Sequence, residues 1–207
     1  MMQSYPSDIA FTPSVKAIQT RNGSRAAYSK VESGRGWQTK ITPELVSFLS
    51  RLDMFYLGTA NADGQPYIQY RGGPPGFLKV IDGQTLGFAD FSGNRQYITV
   101  GNLSENPKAF IFLMDYARQS RVKIWGTAGF VEDDAELLEK LTDPAYQARV
   151  ERAIVFTIEA WDGNCSDHIH QRFAQHDVAD AIERLQRKIS EQELELSNKQ
   201  RSEPSTS

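Results

Sequence analysis

The sequence predicts a mainly β protein: an antiparallel Greek-key or meander barrel with peripheral helices and one long C-terminal helix. Three observations carry this. From Met54 onward, short runs rich in β-branched and aromatic residues follow one another. Two of the breaks between them, Asp63-Gly64 and Asp82-Gly83, are hairpin turn pairs. Helical periodicity is confined to a few segments and does not alternate with the strands, which argues against a parallel βαβ fold.

The elements follow in order. Residues 1–40 are rich in Gly and Ser with few apolar positions, and are expected to be an N-terminal extension that wraps the surface without a core of its own. Thr42-Pro43-Glu44 combines an N-cap, a proline at the first helical position and an acid in the first turn, so it opens a helix over 43–52. Strands are predicted at 54–60, 66–70, 77–81, 85–90, 109–116, 121–131 and 153–161. Residues 92–103 are a loop entering a short helix that stops before Asn106-Pro107. Glu132-Asp133-Asp134 stands at a helix start, where its charges oppose the helix dipole. Asp143-Pro144 repeats the capping device and predicts a helix over 145–153.

Near the C-terminus Val178, Ile182, Leu185, Ile189 and Leu196 form one narrow stripe, the signature of a long amphipathic helix suited to packing on another helix, including one across a subunit interface. The predicted organisation is therefore an extension (1–40), a barrel domain (41–175), a C-terminal helix (176–196) and a disordered polar tail (197–207).

At 207 residues, 40% apolar and 24% charged, the chain suits one core. A net charge of −3, with no long basic run, argues against nucleic acid as a partner. No run of 18 apolar residues and no apolar N-terminal stretch argue against membrane insertion and secretion, so a cytoplasmic protein is expected. The single Cys165 excludes an internal disulfide. Together with His168, His170 and His176 it makes a lone C-x2-H-x-H, which falls short of a zinc site because structural zinc cysteines come in pairs. No G-x-S-x-G elbow or Walker A loop is present.

What the residues do suggest is an anion site. Ser92-Gly93-Asn94-Arg95 precedes a helical turn, where free N–H groups favour a phosphate on which Arg95 closes. Arg121, Lys123 and Trp125 share one strand face, and Gln69 and Arg71 share another beside the break in "QYRGGPPGF" (69–77). The alternatives are a rigid loop at 69–77, a solvated Arg95, and Arg121 and Lys123 on the wet side of an edge strand. A flat phosphorylated cofactor lying against the glycine break unites these features.

The order of elements over residues 41–175, with "RGGPPGF", "GNRQ" and "NLSENP" in succession, resembles the pyridoxamine 5'-phosphate oxidase-like FMN-binding split-barrel family, and within it a bacterial subgroup of flavin-binding relatives. The resemblance implies an antiparallel split barrel forming a homodimer, with FMN in clefts at the interface. It implies that Gln69, Tyr70, Arg71 and Gly72 edge the flavin ring, that Phe88 and Ala89 lie near it, and that Asn94, Arg95 and Gln96 bind the phosphate. Arg121 stands where the oxidases carry a glutamine, and Trp161 and Arg172 loosely match a C-terminal tryptophan and arginine near the cofactor. His170-Gln171-Arg172 departs from the R-x-H motif of the true oxidases, which argues against vitamin B6 as substrate.

Three functional readings follow: an FMN-dependent oxidoreductase acting on a small molecule or a nicotinamide donor, with catalytic residues unknown; a flavin-holding sensor or electron-transfer dimer; and a haem or deazaflavin binder in the same barrel. The segment "WDGNCSDHIHQRF" (161–173) is expected to form a lid over the flavin, carrying His168, His170 and Arg172.

Overall fold

The computed structural model describes residues 4–164 and 167–202. They form two compact units, one of Met1–Asp115 with Ser120–Asp167 and the other of Tyr116–Gln119 with His168–Ser207. The turn 116–119 belongs with the C-terminal segment in the second unit.

The first unit is built on seven strands: β1 (Met54–Ala60), β2 (Pro66–Gly72), β3 (Lys79–Val80), β4 (Thr85–Phe91), β5 (Lys108–Asp115), β6 (Ser120–Val131) and β7 (Val150–Asn164). All pairings are antiparallel, in the order β2-β1-β5-β6-β7-β4-β3. Although three strands separate β1 from β4 in that order, Phe55 of β1 meets Phe88 of β4 edge-on at 5.1 Å. The sheet therefore curls until its two ends meet, and side chains rather than a backbone ladder join β2 to β4. That unzipped seam is the split of the barrel. Phe55, Leu57, Leu86, Phe88, Ile111, Leu113, Ile124, Ile154, Phe156 and Ile158, each at most 1% exposed, fill the interior.

The glycine-proline break closes one end. Gly76 takes a left-handed φ of +76°, and a Cβ on Gly73 would stand 2.6 Å from the Phe77 ring. Phe77 and Leu78 thereby turn into the core, Phe77 stacking on Phe55 at 5.3 Å, and only Lys79–Val80 of the strand expected at 77–81 pairs. Close packing thus accounts for Gly73 and Gly76, and only Gly72 lies on the wall of a cleft. Helix α3 (Pro43–Leu49) plugs the same core with Leu45, Phe48 and Leu49, its Thr42 cap accepting from the Leu45 N–H.

One expectation is corrected. Residues 145–153 are not a helix: Asp143 Oδ1 accepts from the Ala145 N–H in a turn, and from Val150 the chain is already strand β7, with Val150 opposite Phe91 and Arg152 opposite Asp90. Pairing along β4 outweighs the local capping signal. The N-terminal extension forms helices of its own. It holds a 3₁₀ turn (Pro6–Ile9) and helices α1 (Pro13–Arg21) and α2 (Arg25–Ser33), with Ser7, Gln19 and Glu32 buried and Arg25 bonded to both Gln19 and Glu32. Phe11 packs on Tyr28 and Trp37, and Trp37 stacks at 4.6 Å on Trp125 of β6.

Helix α4 (Ile98–Glu105) enters β5, and α5 (Ala135–Leu141) lies beside β4 and β7, its Asp134 cap accepting from the Leu137 N–H. In the second unit α6 (Gln175–Ser202) extends past the predicted 196, so residues 197–202, expected to be disordered, are helical; 203–207 lie outside the described residues.

Candidate functional site

The barrel's split places β2, β4 and the start of α4 around two adjoining clefts. The first, about 200 Å³, is lined by Gln69 and Arg71 of β2, Asp90 and Phe91 of β4, Gly93, Asn94, Arg95 and Tyr97 of the connecting loop, Thr99 and Val100 of α4, and Glu151 of β7. The second, about 140 Å³, shares Gln69, Arg71 and Phe91 and adds Tyr70, Gly72, Phe77, Phe88 and Ala89. Eight of the residues singled out in the sequence therefore meet here. Gln96 stands one step back: its N–H donates to Asn94 Oδ1 at 3.2 Å, tying the loop into a tight turn.

A charged network that sequence reasoning missed braces the seam. Asp90, 7% exposed, accepts from the Arg71 guanidinium across the split, and its other oxygen lies 3.7 Å from Arg152 Nε. Arg152 also pairs with Glu132 at 2.9 Å and Glu151 at 3.2 Å. The Ser92 hydroxyl donates to Glu151 at 2.7 Å, a bond that with Arg152 holds the Glu151 carboxyl below its ordinary range. The Nε atoms of both Arg71 and Arg152 are buried without a hydrogen-bond acceptor. Arg152 shows no motif in the sequence, since it lies in the stretch read as helical. Strand alternation in "VERAIVF", carried back from Ile154, was the one signal for it.

The loop between β4 and α4 is held in an uncommon shape. Arg95 and Tyr97 both adopt left-handed backbone angles, φ +61° and +54°. Arg95 Nε donates to the Tyr97 hydroxyl at 3.3 Å, while the Arg152 guanidinium lies over the Tyr97 ring at 5.3 Å. The Tyr97 bond is the chief reason the Arg95 guanidinium holds its proton more tightly than usual. Tyr97 occupies the N-cap of α4 without a side-chain cap bond, so the start of the helix, whose Thr99 and Val100 line the cleft, has no side-chain cap. On the other wall the Thr99 hydroxyl donates to Gln69 Oε1 at 2.6 Å, presenting the amide NH2 of Gln69 as the remaining donor.

Arg121 and Trp161 are not brought to these clefts. Arg121 pairs with Met114 near the start of β6. Trp161 is 9% exposed, its indole N–H donates to the Lys40 carbonyl at 2.8 Å, and its backbone bridges Gln38. It pins the extension to the barrel. Arg172 belongs to the second unit, where its guanidinium lies 5.0 Å over the Tyr116 ring; His168 there has φ +64° and, like His170, is exposed. Cys165 and Ser166, within the expected lid, lie outside the described residues. Among the described residues no group of three or more His, Cys, Asp or Glu is placed to hold a metal, and no helix is long and apolar enough to cross a membrane.

The clefts adjoin an apolar sheet face. Ile68 and Tyr70 on edge strand β2 are 70% and 59% exposed. Half-buried Tyr56, Phe110, Phe112 and Trp125 continue the same face across β1, β5 and β6.

Comparison with known proteins gives a consistent picture. Residues 41–169, more than half of the chain, match the family described as pyridoxamine 5'-phosphate oxidase. HupZ of Group A Streptococcus superposes with a TM-score of 0.50 at 18% identity, covering 64% of this chain and 99% of its own. A putative pyridoxamine 5'-phosphate oxidase from Lactobacillus delbrueckii gives 0.46 at 23% identity (60% and 95% covered), and HutZ, the haem storage protein of Vibrio cholerae, 0.38 at 17% (57% and 90%). At these identities the likeness concerns the fold alone, and only the first reaches a score that carries weight. No curated protein matches by sequence.

Proposed function

Because the chain belongs to the pyridoxamine 5'-phosphate oxidase family, we propose that it is a homodimeric FMN-binding protein and an FMN-dependent oxidoreductase, with one cofactor held at each barrel split. The observation that carries this reading is the uncapped start of α4, with Arg95 beside it, on the same cleft that joins the aromatic-lined wall of Phe88 and Phe91. The residues fit the group. Arg95, the Asn94 amide and the uncapped start of α4 suit a phosphate, while Gln69, Tyr70, Gly72, Phe88 and Ala89 line the adjoining cleft, with one amide donor for a ring system.

Bound FMN supplies hydride and electron transfer; the chain supplies orientation and electrostatics. Asp90 is held between two arginines, and Glu151 by Ser92 and Arg152, so neither carboxylate of the cleft stands ready as a base. Neither cleft alone reaches the roughly 300–1,000 Å³ of a cofactor pocket, which supports a second chain completing the wall. The face of Ile68, Tyr70, Tyr56, Phe110 and Phe112 is the surface for that contact. A part for Arg121 or Trp161 in binding requires such a second chain. With His170-Gln171-Arg172 in place of R-x-H, vitamin B6 is not the proposed substrate.

The test is the absorption spectrum of the purified protein, followed by titration with FMN and with riboflavin. Flavin bands and a clear preference for FMN are expected, and Arg95→Ala should lose about 1.5–3 kcal/mol of FMN binding while keeping its fold. Equal affinity for the two flavins would remove the phosphate from this cleft. A Soret band in place of flavin bands would replace FMN by haem.

A further inference from the structure

We propose that α6 pairs with α6 of a second copy as a parallel, in-register two-stranded coiled coil. In heptad terms Ile182, Ile189 and Leu196 occupy a, and Val178, Leu185 and Gln192 occupy d. Val178, Ile182, Leu185, Ile189 and Leu196 are 45%, 50%, 59%, 54% and 60% exposed, so one seam of the helix is left largely uncovered. At the centre of the seam the β-branched Ile182 and Ile189 at a flank Leu185 at d, the combination that favours two parallel strands over three or four.

Charge selects the same partner and orientation. Positions g and e flank the seam, and in a parallel pair the g residue of one helix meets the e residue of the next heptad on the other. That sets Lys188 against Glu193 of the second copy, and by symmetry the reverse. An antiparallel pair that keeps every apolar layer would be centred between Leu185 and Ile189. It would set Lys188 against Lys188 of the second copy and bury Gln192 against Ile182. In the parallel register Gln192 meets itself, where two amides bond each other, and a single polar layer of this kind fixes register. A second copy is thus the one partner that carries the matching stripe, charges and polar layer together.

This names a dimer contact additional to the barrel face, and it depends on the dimeric part of the proposed function but not on flavin. The experiment uses the full-length chain with Cys165→Ser to remove the native thiol. Leu185→Cys in that background, mildly oxidised at micromolar concentration, should double its apparent mass on a non-reducing gel, because d residues of a parallel pair face their own copies. Glu191→Cys, at the outward c position, should stay at monomer mass. Absence of the shift for Leu185→Cys, an equal shift for Glu191→Cys, or preferential crosslinking of a Leu185→Cys chain to an Ile189→Cys chain overturns the parallel coil. FMN titration and sedimentation of the Cys165→Ser chain report separately on the barrel dimer, so either reading can fail without the other.

Discussion

Two groups of cations on the barrel look alike in sequence and differ in what surrounds them. At the split, Arg71 and Arg152 converge on Asp90 while Arg95 stays exposed beside an uncapped helix. On β6, Arg121, Lys123 and Trp125 share a face as strand alternation requires, but Trp37 arrives from the N-terminal extension and stacks on Trp125. Lys123 then lies over both indoles, at 5.7 and 5.2 Å. The first group borders open volume and the second is roofed. Strand phase tells which side chains share a face; only the tertiary fold tells whether that face is left for a ligand.

The sharpest way to break the comparison is to remove the carboxylate at the split. Asp90→Ala leaves two buried guanidinium groups without their shared partner, a change that costs about 3–5 kcal/mol when one member of a buried ion pair is lost. Urea unfolding should show this loss, and FMN affinity should fall with it because Arg71 is no longer held to the cleft wall. Unaltered stability would mean that packing alone closes the seam.

Trp37→Ala probes the other group. Deleting a buried indole costs about 3 kcal/mol, so the melting temperature should drop, while the folded fraction should bind FMN as the parent does. A drop in affinity measured on folded protein would bring the β6 face into the binding site after all.

These contrasts explain how much was legible beforehand. Turn pairs such as Asp63-Gly64, the Thr42-Pro43 cap and the alternation in β1, β5 and β6 are local signals, and the strands and the helix they predict are present. Eight candidate site residues lie together because family resemblance marked β2, the end of β4 and the loop after it. Asp90 and Arg152 escaped because their meaning is pairwise: each is an ordinary strand residue until the curl of the sheet sets β2 and β7 on either side of β4. Trp37 escaped because the extension's aromatic contacts are made with one another and with β6, and no periodic pattern in residues 1–40 announces them.

The smallest expected effect concerns the pH dependence of the roofed group. Lys123 is pushed below its ordinary value, first by burial and further by Arg121, with Asp162 opposing; Asp162, its cross-strand neighbour, is pushed up by burial against the attraction of Lys123. When the folded pKa of a lysine lies below its unfolded value, the unfolded chain binds more protons at pH values between the two. Stability therefore rises with pH through that alkaline window and levels off above the ordinary lysine value, where the folded state no longer carries a buried charge. In Lys123→Met the charge is gone at every pH, so denaturant midpoints between neutral pH and pH about 10.5 should lose this rising component, with FMN affinity unchanged. The carboxyl of Asp162, deprived of its cation, should titrate higher still, which carbon-detected NMR of the aspartates would read directly. An Asp162 titration that moves down in Lys123→Met would show that the lysine's main influence there is to exclude water and not to attract charge, and the electrostatic account of the β6 face would have to be replaced.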